Sequence, residues 1–313
     1  MTKDRNNGEI QNQLSLIEEL FPGELSPNSK YPQLFANAGI FVPTSERKSH
    51  AAEFDSGIEY WYDLDDILLR RFGPGLDIYD EDTVIAVWQL VMQKKLIGTK
   101  EQLSKKLGSD INVRKEDDAD NAIHEAFVGV VTPYQVNKYL GKDTGGKTLK
   151  DRRESIIRLG RTSFEMTYKM EKKTTSPELK FFKFILDDKD EENGSFRVFL
   201  DPLMVSLMQK YFIINIDIRR ELTNLGKSVH RYLTTAPCKL DILIETMKGD
   251  VRHTGSMGDF VRDLRKGRAL RGKEPIPPII DQLKELGFLS ENTEIQGTGR
   301  AKPFRLVGER ISQ

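Results

Sequence analysis

The chain has 313 residues, room for two modest domains and an arm, with 38% hydrophobic and 31% charged side chains. Its 48 basic and 48 acidic residues cancel unevenly: residues 1–82 carry 16 acids and 7 bases, so the rest is basic by the margin the front is acidic, a polarity compatible with a polyanion on one face. A single cysteine, Cys238, excludes an internal disulfide framework, four scattered histidines offer no zinc spacing, and neither a signal-peptide core nor a bilayer-spanning run is present, so the expectation is a cytoplasmic chain with no metal, cofactor or membrane partner.

Residues 1–75 read as an arm. Ile10, Leu14, Ile17 and Phe21 recur at helical spacing, and an apolar patch, LFANAGIFVP (34–43), follows. SGIEYWYDLDDILLRRFGPG (56–75) reads as a second amphipathic helix, stopped by Gly73-Pro74-Gly75. In that context Tyr60, Trp61 and Tyr62, like Trp88, read as core residues rather than base-stacking groups, and Asp63, Asp65 and Asp66 as a solvated edge rather than a magnesium site.

From Asp80 the helical signal is strong. DEDTVIAVWQLVMQKK starts with acids suited to a helix N-terminus and carries a broad apolar stripe. IGTKEQLSKKLG is a short helix with Thr99 as N-cap and Gly108 as its stop. Residues 109–131 read as irregular or inserted. VTPYQVNKYLG is a helix with Thr132 as cap and Pro133 in its first turn. GKDTGG turns the chain into a second helix, KTLKDRRESIIRLGR, with Leu149, Ile156, Ile157 and Leu159 inward and Lys150, Arg152, Arg153 and Arg158 outward. SFEMTYKM is a strand, EKKTTSPEL a loop and FFKFILDD a second strand.

GKDTGGKT (141–148) also fits the phosphate-cradling pattern G-x-x-x-x-G-K-[ST]. That chemistry needs a buried strand running into the first glycine, whereas the residues before Gly141 suit a helix. A P-loop ATPase is therefore an alternative reading, and a glycine turn between helices the preferred one.

After the turn Asn193-Gly194 comes the strand SFRVFLD, then DPLMVSLMQKYFIINI as a buried helix or helix–strand pair. LTNLGKSVHRYLTTA (222–236) is an amphipathic helix with Leu225, Val229 and Leu233 inward, and KLDILIETMKGD reads as another. The most basic segment follows: Arg252, Arg262, Arg265, Lys266, Arg268, Arg271 and Lys273 stand against only Asp259 and Asp263. PIPPIIDQLKELG restarts a helix, and FLSENTEI, the loop QGTGRAKP and FRLVGE give a strand, loop and strand.

Two stretches share one grammar: IIRLG–RTSFEMTYKM–loop–FFKFILDD and QLKELG–FLSENTEI–loop–KPFRLVG. A helix pair followed by a strand, a basic loop and a strand is the grammar of a winged helix, whose second helix enters the major groove. The expected fold is α+β: an N-terminal arm (1–75) and two tandem winged-helix domains (76–194 and 195–313), mainly helical with small β wings. The expected DNA contacts are Lys147, Lys150, Arg152, Arg153, Arg158 and Arg161 on the first basic helix. To these are added Lys172 and Lys173 in its wing, Arg262, Arg265, Lys266, Arg268, Arg271 and Lys273 in the second basic segment, and Arg300 and Lys302 in the second wing. Which of 259–273 and 277–286 reads the groove stays open. No catalytic constellation is evident, so the expectation is a protein that is not an enzyme.

The order LFANAGIFVP, DEDTVIAVWQLVMQ, KTLKDRRESIIRLGRTSFEMTY, FRVFLDPLMVSLMQKYF, LTNLGKSVHRYLTTAP and QLKELGFL resembles the iteron-binding replication initiators of plasmids, the RepA/TrfA type. The resemblance implies two winged-helix domains that bind direct repeats in double-stranded DNA at a plasmid origin. It further implies repression of the chain's own promoter, a monomer–dimer balance, and host partners including an initiator protein, helicase and chaperones. A winged-helix repressor without origin function is the alternative.

Overall fold

The computed structural model describes residues 27–55, 60–63, 67–114, 117–168, 173–186, 194–267, 275–298 and 302–311; the helix expected around Ile10–Phe21 lies outside them. Small sheets and short helices alternate in a mixed α+β arrangement. Strand β1 (Asn28–Pro32) pairs antiparallel with a strand far along the chain, β12 (Tyr211–Asn215), with Tyr31 opposite Phe212. Helix α1 (Gln33–Ala38) and β2 (Phe41–Val42) take the apolar patch inside, with Phe35, Ile40, Phe41 and Val42 fully buried. Gly39, between them, has φ +57°, and a side chain there would come within 2.9 Å of the Asp250 carbonyl.

Helix α2 (Ala51–Asp55) is followed by a departure from the sequence reading. The described residues of the next segment, 60–63 and 67–72, form not a helix but two antiparallel strands, β3 (Tyr60–Asp63) and β4 (Ile67–Phe72), with Tyr62 opposite Leu69. Along β4, Leu69 and Arg71 point inward at the period-two spacing of a strand, and Arg71 Nη1 donates to Tyr62 Oη at 3.1 Å. Tyr62 and Leu69 are satisfied as cross-strand partners rather than on a helical stripe.

After β5 (Leu76–Asp77), which pairs with β2, helix α3 (Ile78–Val91) is buried on almost every side. Its start is a capping box: the Asp77 carboxylate accepts from the Tyr79 and Asp80 amides, and Asp80 accepts from the Asp77 amide. Trp88 donates its indole N–H to the Phe181 carbonyl at 2.9 Å and packs among Tyr31, Phe35 and Phe181.

Strand β6 (Lys95–Thr99) leads into α4 (Lys100–Leu107), capped by Thr99 with Gln102 and ended by Gly108 at φ +68°, as the cap residues predict. The stretch expected to be irregular contains a nine-residue strand, β7 (Ile123–Val131), antiparallel to β6. Helices α5 (Pro133–Tyr139) and α6 (Gly146–Arg161) pack on one another and on α3.

The strand pairings beyond α6 also differ from expectation. β8 (Ser163–Tyr168) pairs with β9 (Lys173–Lys180), which occupies the segment read as a loop, and with β4. β10 (Lys183–Leu186) instead joins β11 (Phe196–Leu200), giving one sheet in the order β3-β4-β8-β9 and another in the order β10-β11-β7-β6. Pro177 disguises β9, yet β9 is an edge strand, where a missing amide is tolerated. Helix α7 (Pro202–Leu207) and β12 give the helix–strand pair.

The remaining elements are α8 (Ile216–Glu221), α9 (Asn224–Thr235), β13 (Lys239–Leu243), α10 (Ile244–Asp250), α11 (Met257–Arg265), α12 (Ile279–Glu285), β14 (Glu294–Gln296) and β15 (Arg305–Glu309). The segment read as one helix over 239–250 is a strand and then a helix. β13, β15 and β14 form an antiparallel sheet in that order. One hydrophobic cluster runs from Tyr31 to Ile216 and a second from Ile218 to Leu306.

Candidate nucleic-acid interface

Helix α6 shows solvent less of its charge than its sequence suggests. Arg152, expected to face outward, is buried: its Nε donates to Asn137 Oδ1 at 2.8 Å, Nη1 donates to Thr83 Oγ1 at 2.5 Å, and the guanidinium lies 3.9 Å from the Tyr79 ring centroid. It shares a helix side with Ser155, Ile156 and Leu159, and neighbouring elements supply the acceptors a buried guanidinium requires. Arg158 is also turned in, clamping Asp80 through Nη2 at 2.6 Å and Nε at 3.1 Å, while Ser155 Oγ donates to the same carboxylate at 2.6 Å. Arg153 is half-buried beside Gly194. Three cations, Lys147, Lys150 and Arg161, stay exposed, alternating with exposed Asp151 and Glu154.

The glycine motif at the start of α6 is a helix–turn–helix joint. The chain enters Gly141 (φ +62°) from α5, not from a strand. Asp143 organises the turn: its Oδ1 accepts from the Gly145 amide, and its carbonyl accepts from Asn137 Nδ2 and Thr148 Oγ1, both at 2.9 Å. The hydroxyl a P-loop would offer to a magnesium ion is engaged with the turn's own carbonyls.

The described part of the second basic segment keeps its charge on one side. Ser256 caps α11, accepting from the Asp259 amide at 3.0 Å. Phe260, Val261 and Leu264 fill the second cluster, leaving Arg262, Arg265 and Lys266 at the surface with three- and four-residue spacing. Arg262 pairs with Asp259 at 2.7 Å, and Arg265 donates to the Ile295 carbonyl of β14, tying α11 to the β14–β15 hairpin. Helix α12, by contrast, exposes Asp281 and Glu285. Lys302, between β14 and β15, is exposed. Lys172, Arg268, Arg271, Lys273 and Arg300 lie outside the described residues, as does the Lys173 side chain, although Lys173 itself opens β9 opposite Tyr168.

Sequence reasoning missed the residues that join the two clusters. Glu81 and Asp82, near the start of α3, are buried, and their cationic partners come from α8 and α9. Arg219 donates to Glu81 at 2.5 Å and to Asp82 at 2.6 Å, Lys227 to Asp82 at 2.5 Å, Arg231 to Glu81 at 3.1 Å, and Tyr31 Oη to Glu81 at 2.8 Å. Burial pushes both carboxyls upward, but the cations, Arg219 foremost, outweigh it and hold them below the usual carboxylate range. A run of three acids opening an otherwise apolar helix is the one local sign of this joint.

Among the described residues, no group of three or more His, Cys, Asp or Glu is placed to hold a metal ion, and no helix is long and apolar enough to cross a membrane.

No family model matches the chain, and no curated protein matches it. Among solved structures, it is similar to domains 2 and 3 of RctB, with 12% identity over 93% of this chain and 100% of that one and a TM-score of 0.52. A second structure of those RctB domains gives 11% identity over 80% and 91%, with a TM-score of 0.47. The first similarity is one of fold.

Proposed function

We propose that the chain is a non-enzymatic DNA replication initiator that binds directly repeated origin sites, the iterons of a plasmid, and represses its own promoter. The observation that carries the reading is α11. It presents Arg262, Arg265 and Lys266 to solvent from a helical unit flanked by the β14–β15 hairpin. As a winged helix, this unit lays α11 in the major groove while the loop before β15, with Lys302, follows the phosphates. The acidic surface of α12 favours α11 as the reading helix. In the other module α5 and α6 form the helix pair, β8 and β9 the hairpin, and Lys147, Lys150 and Arg161 the cationic contacts. The fold shared with domains 2 and 3 of RctB, a replication initiator, supports the same reading. Self-association and docking of a host initiator, helicase and chaperones belong to the proposal through the resemblance to plasmid initiators.

The test is anisotropy titration of DNA flanking the chain's own gene against scrambled DNA across a salt series. Tight binding to direct repeats, steeply weakened by salt, is expected. Arg262→Ala and Lys266→Ala each reduce the salt slope by about one if they contact phosphate. Equal, weak binding to both DNAs overturns the reading. A single palindromic target without origin activity favours a transcriptional repressor of the same architecture.

A further inference from the structure

We propose that Glu46 and His50 of the N-terminal arm are positioning residues for α11, bracing the turn that delivers this helix to DNA. The role rests on the reading of α11 as the groove-reading helix. Residues 251–256 form the turn that joins α10 to α11. Within it Arg252 has φ +59°, the one non-glycine residue at positive φ among those described. Such a conformation persists where the surroundings over-determine it, and here the arm supplies part of them. His50 meets Arg252 with both ring nitrogens: Nδ1 accepts from Nη2 at 3.2 Å, and Nε2 donates to the Arg252 carbonyl at 3.3 Å. One tautomer satisfies both contacts.

Glu46 ends the one-turn 3₁₀ helix Thr44–Glu46 and is buried. Its Oε2 accepts from the Thr254 amide at 3.2 Å and from the Thr254 hydroxyl, while Oε1 lies 3.7 Å from His253 Nε2. The same nitrogen stands 3.9 Å from Asp263 Oδ2 on α11, and the His253 ring lies 5.1 Å from that of Phe260. A buried carboxylate of the arm, a buried imidazole of the turn and a buried carboxylate of α11 are thus linked in series. The series ends at the surface, because Arg262 Nε lies 3.8 Å from Asp263 Oδ1. Releasing the arm leaves Phe260 and Leu264 in their cluster, so α11 stays folded but is no longer held at a fixed pitch.

The experiment follows hydrogen exchange at 251–256 in the full chain, beside anisotropy titration of a duplex carrying the repeats that flank its gene. Glu46→Ala should speed exchange of the Thr254 amide and weaken DNA binding, each about tenfold. Glu46→Gln keeps an acceptor for Thr254 and should recover most of both losses, a rescue that a general loss of stability would not show. Thr254→Ala, at an exposed position, should weaken binding about fivefold and carries the test where the thermal midpoint shows Glu46→Ala unfolded. The double variant Glu46→Ala/Arg262→Ala should lose less than the product of the single losses, since both act through α11. Unchanged DNA affinity in Glu46→Ala and Thr254→Ala overturns the proposal, whatever the exchange shows, as do independent losses in the double variant. If Arg262→Ala and Lys266→Ala both bind as the wild type does, the α11 reading falls and the positioning role with it. Exchange at the turn, measured without DNA, still reports the brace itself, so the two failures are told apart.

Discussion

His230 makes stability depend on pH in a way that can be isolated. It sits on α9 without solvent exposure, edge-on to Phe288 at 4.5 Å, and neither ring nitrogen has a hydrogen-bond partner among the described residues. Burial, reinforced by the charges of Arg219 and Arg310, lowers its pKa from 6.5 to about 3. The unfolded chain therefore takes up a proton near pH 6.5, and the folded chain only near 3. Stability is lost as pH falls through that window, at about 1.4 kcal/mol per unit. The loss is about 2 kcal/mol by pH 5 and about 5 kcal/mol when the window is crossed. Asp77 and Asp201, both raised to about 6 chiefly by burial, act in the opposite sense between about 6 and 3.8, where protonation favours the folded state. The raw stability of the wild type thus mixes the two. Urea unfolding of wild type and His230→Leu at pH 7.5 and pH 5 removes the aspartate contribution, because both proteins share it. Relative to the variant, the wild type should lose about 2 kcal/mol between the two pH values. A difference constant within about 0.5 kcal/mol refutes the assignment of a neutral, proton-excluding histidine.

Three further outcomes follow from packing and charge. Arg219→Met leaves Glu81 and Asp82 under-compensated and should lower unfolding free energy by about 3–5 kcal/mol, read from the urea midpoint; a loss below about 1 kcal/mol shows that the joint is hydrated. Gly160→Ala should destabilise by about 1–3 kcal/mol through overlap with Phe184, with partial recovery in the double variant carrying Phe184→Leu. Lys147→Ala, at an exposed position in the first turn of α6, should move the thermal midpoint negligibly and weaken duplex binding modestly, whereas abolition of ATP hydrolysis would revive the phosphate-loop reading.

Local chemistry made some elements legible. Thr99 and Gly108 bound α4, Thr132 and Pro133 start α5, and Leu225, Val229 and Leu233 mark the inner face of α9, because caps and stripes act within a few residues. Arg152 was illegible for the opposite reason: its acceptors, Asn137 and Thr83, lie 15 and 69 positions away. The β3–β4 pair hides in an amphipathic-looking segment because β8, about a hundred residues later, completes its sheet. In the candidate interface, the stripe of α11 could be read directly. The neutralised half of α6 could not, since Asp80, which holds Arg158, belongs to another helix.

The pairing of β1 with β12 also has a temporal meaning. Tyr31 finds its strand partner only once residue 212 has been made, and Glu81 and Asp82 meet their cations only with residues 219–231. Such long-range closure slows folding and delays it until most of the chain exists. During synthesis the acids of α3 must remain hydrated, so the first cluster stays open until α9 leaves the ribosome. A nascent chain halted near residue 200 should therefore be digested by protease as an unfolded one, and a chain long enough for Thr235 to have cleared the exit tunnel should resist.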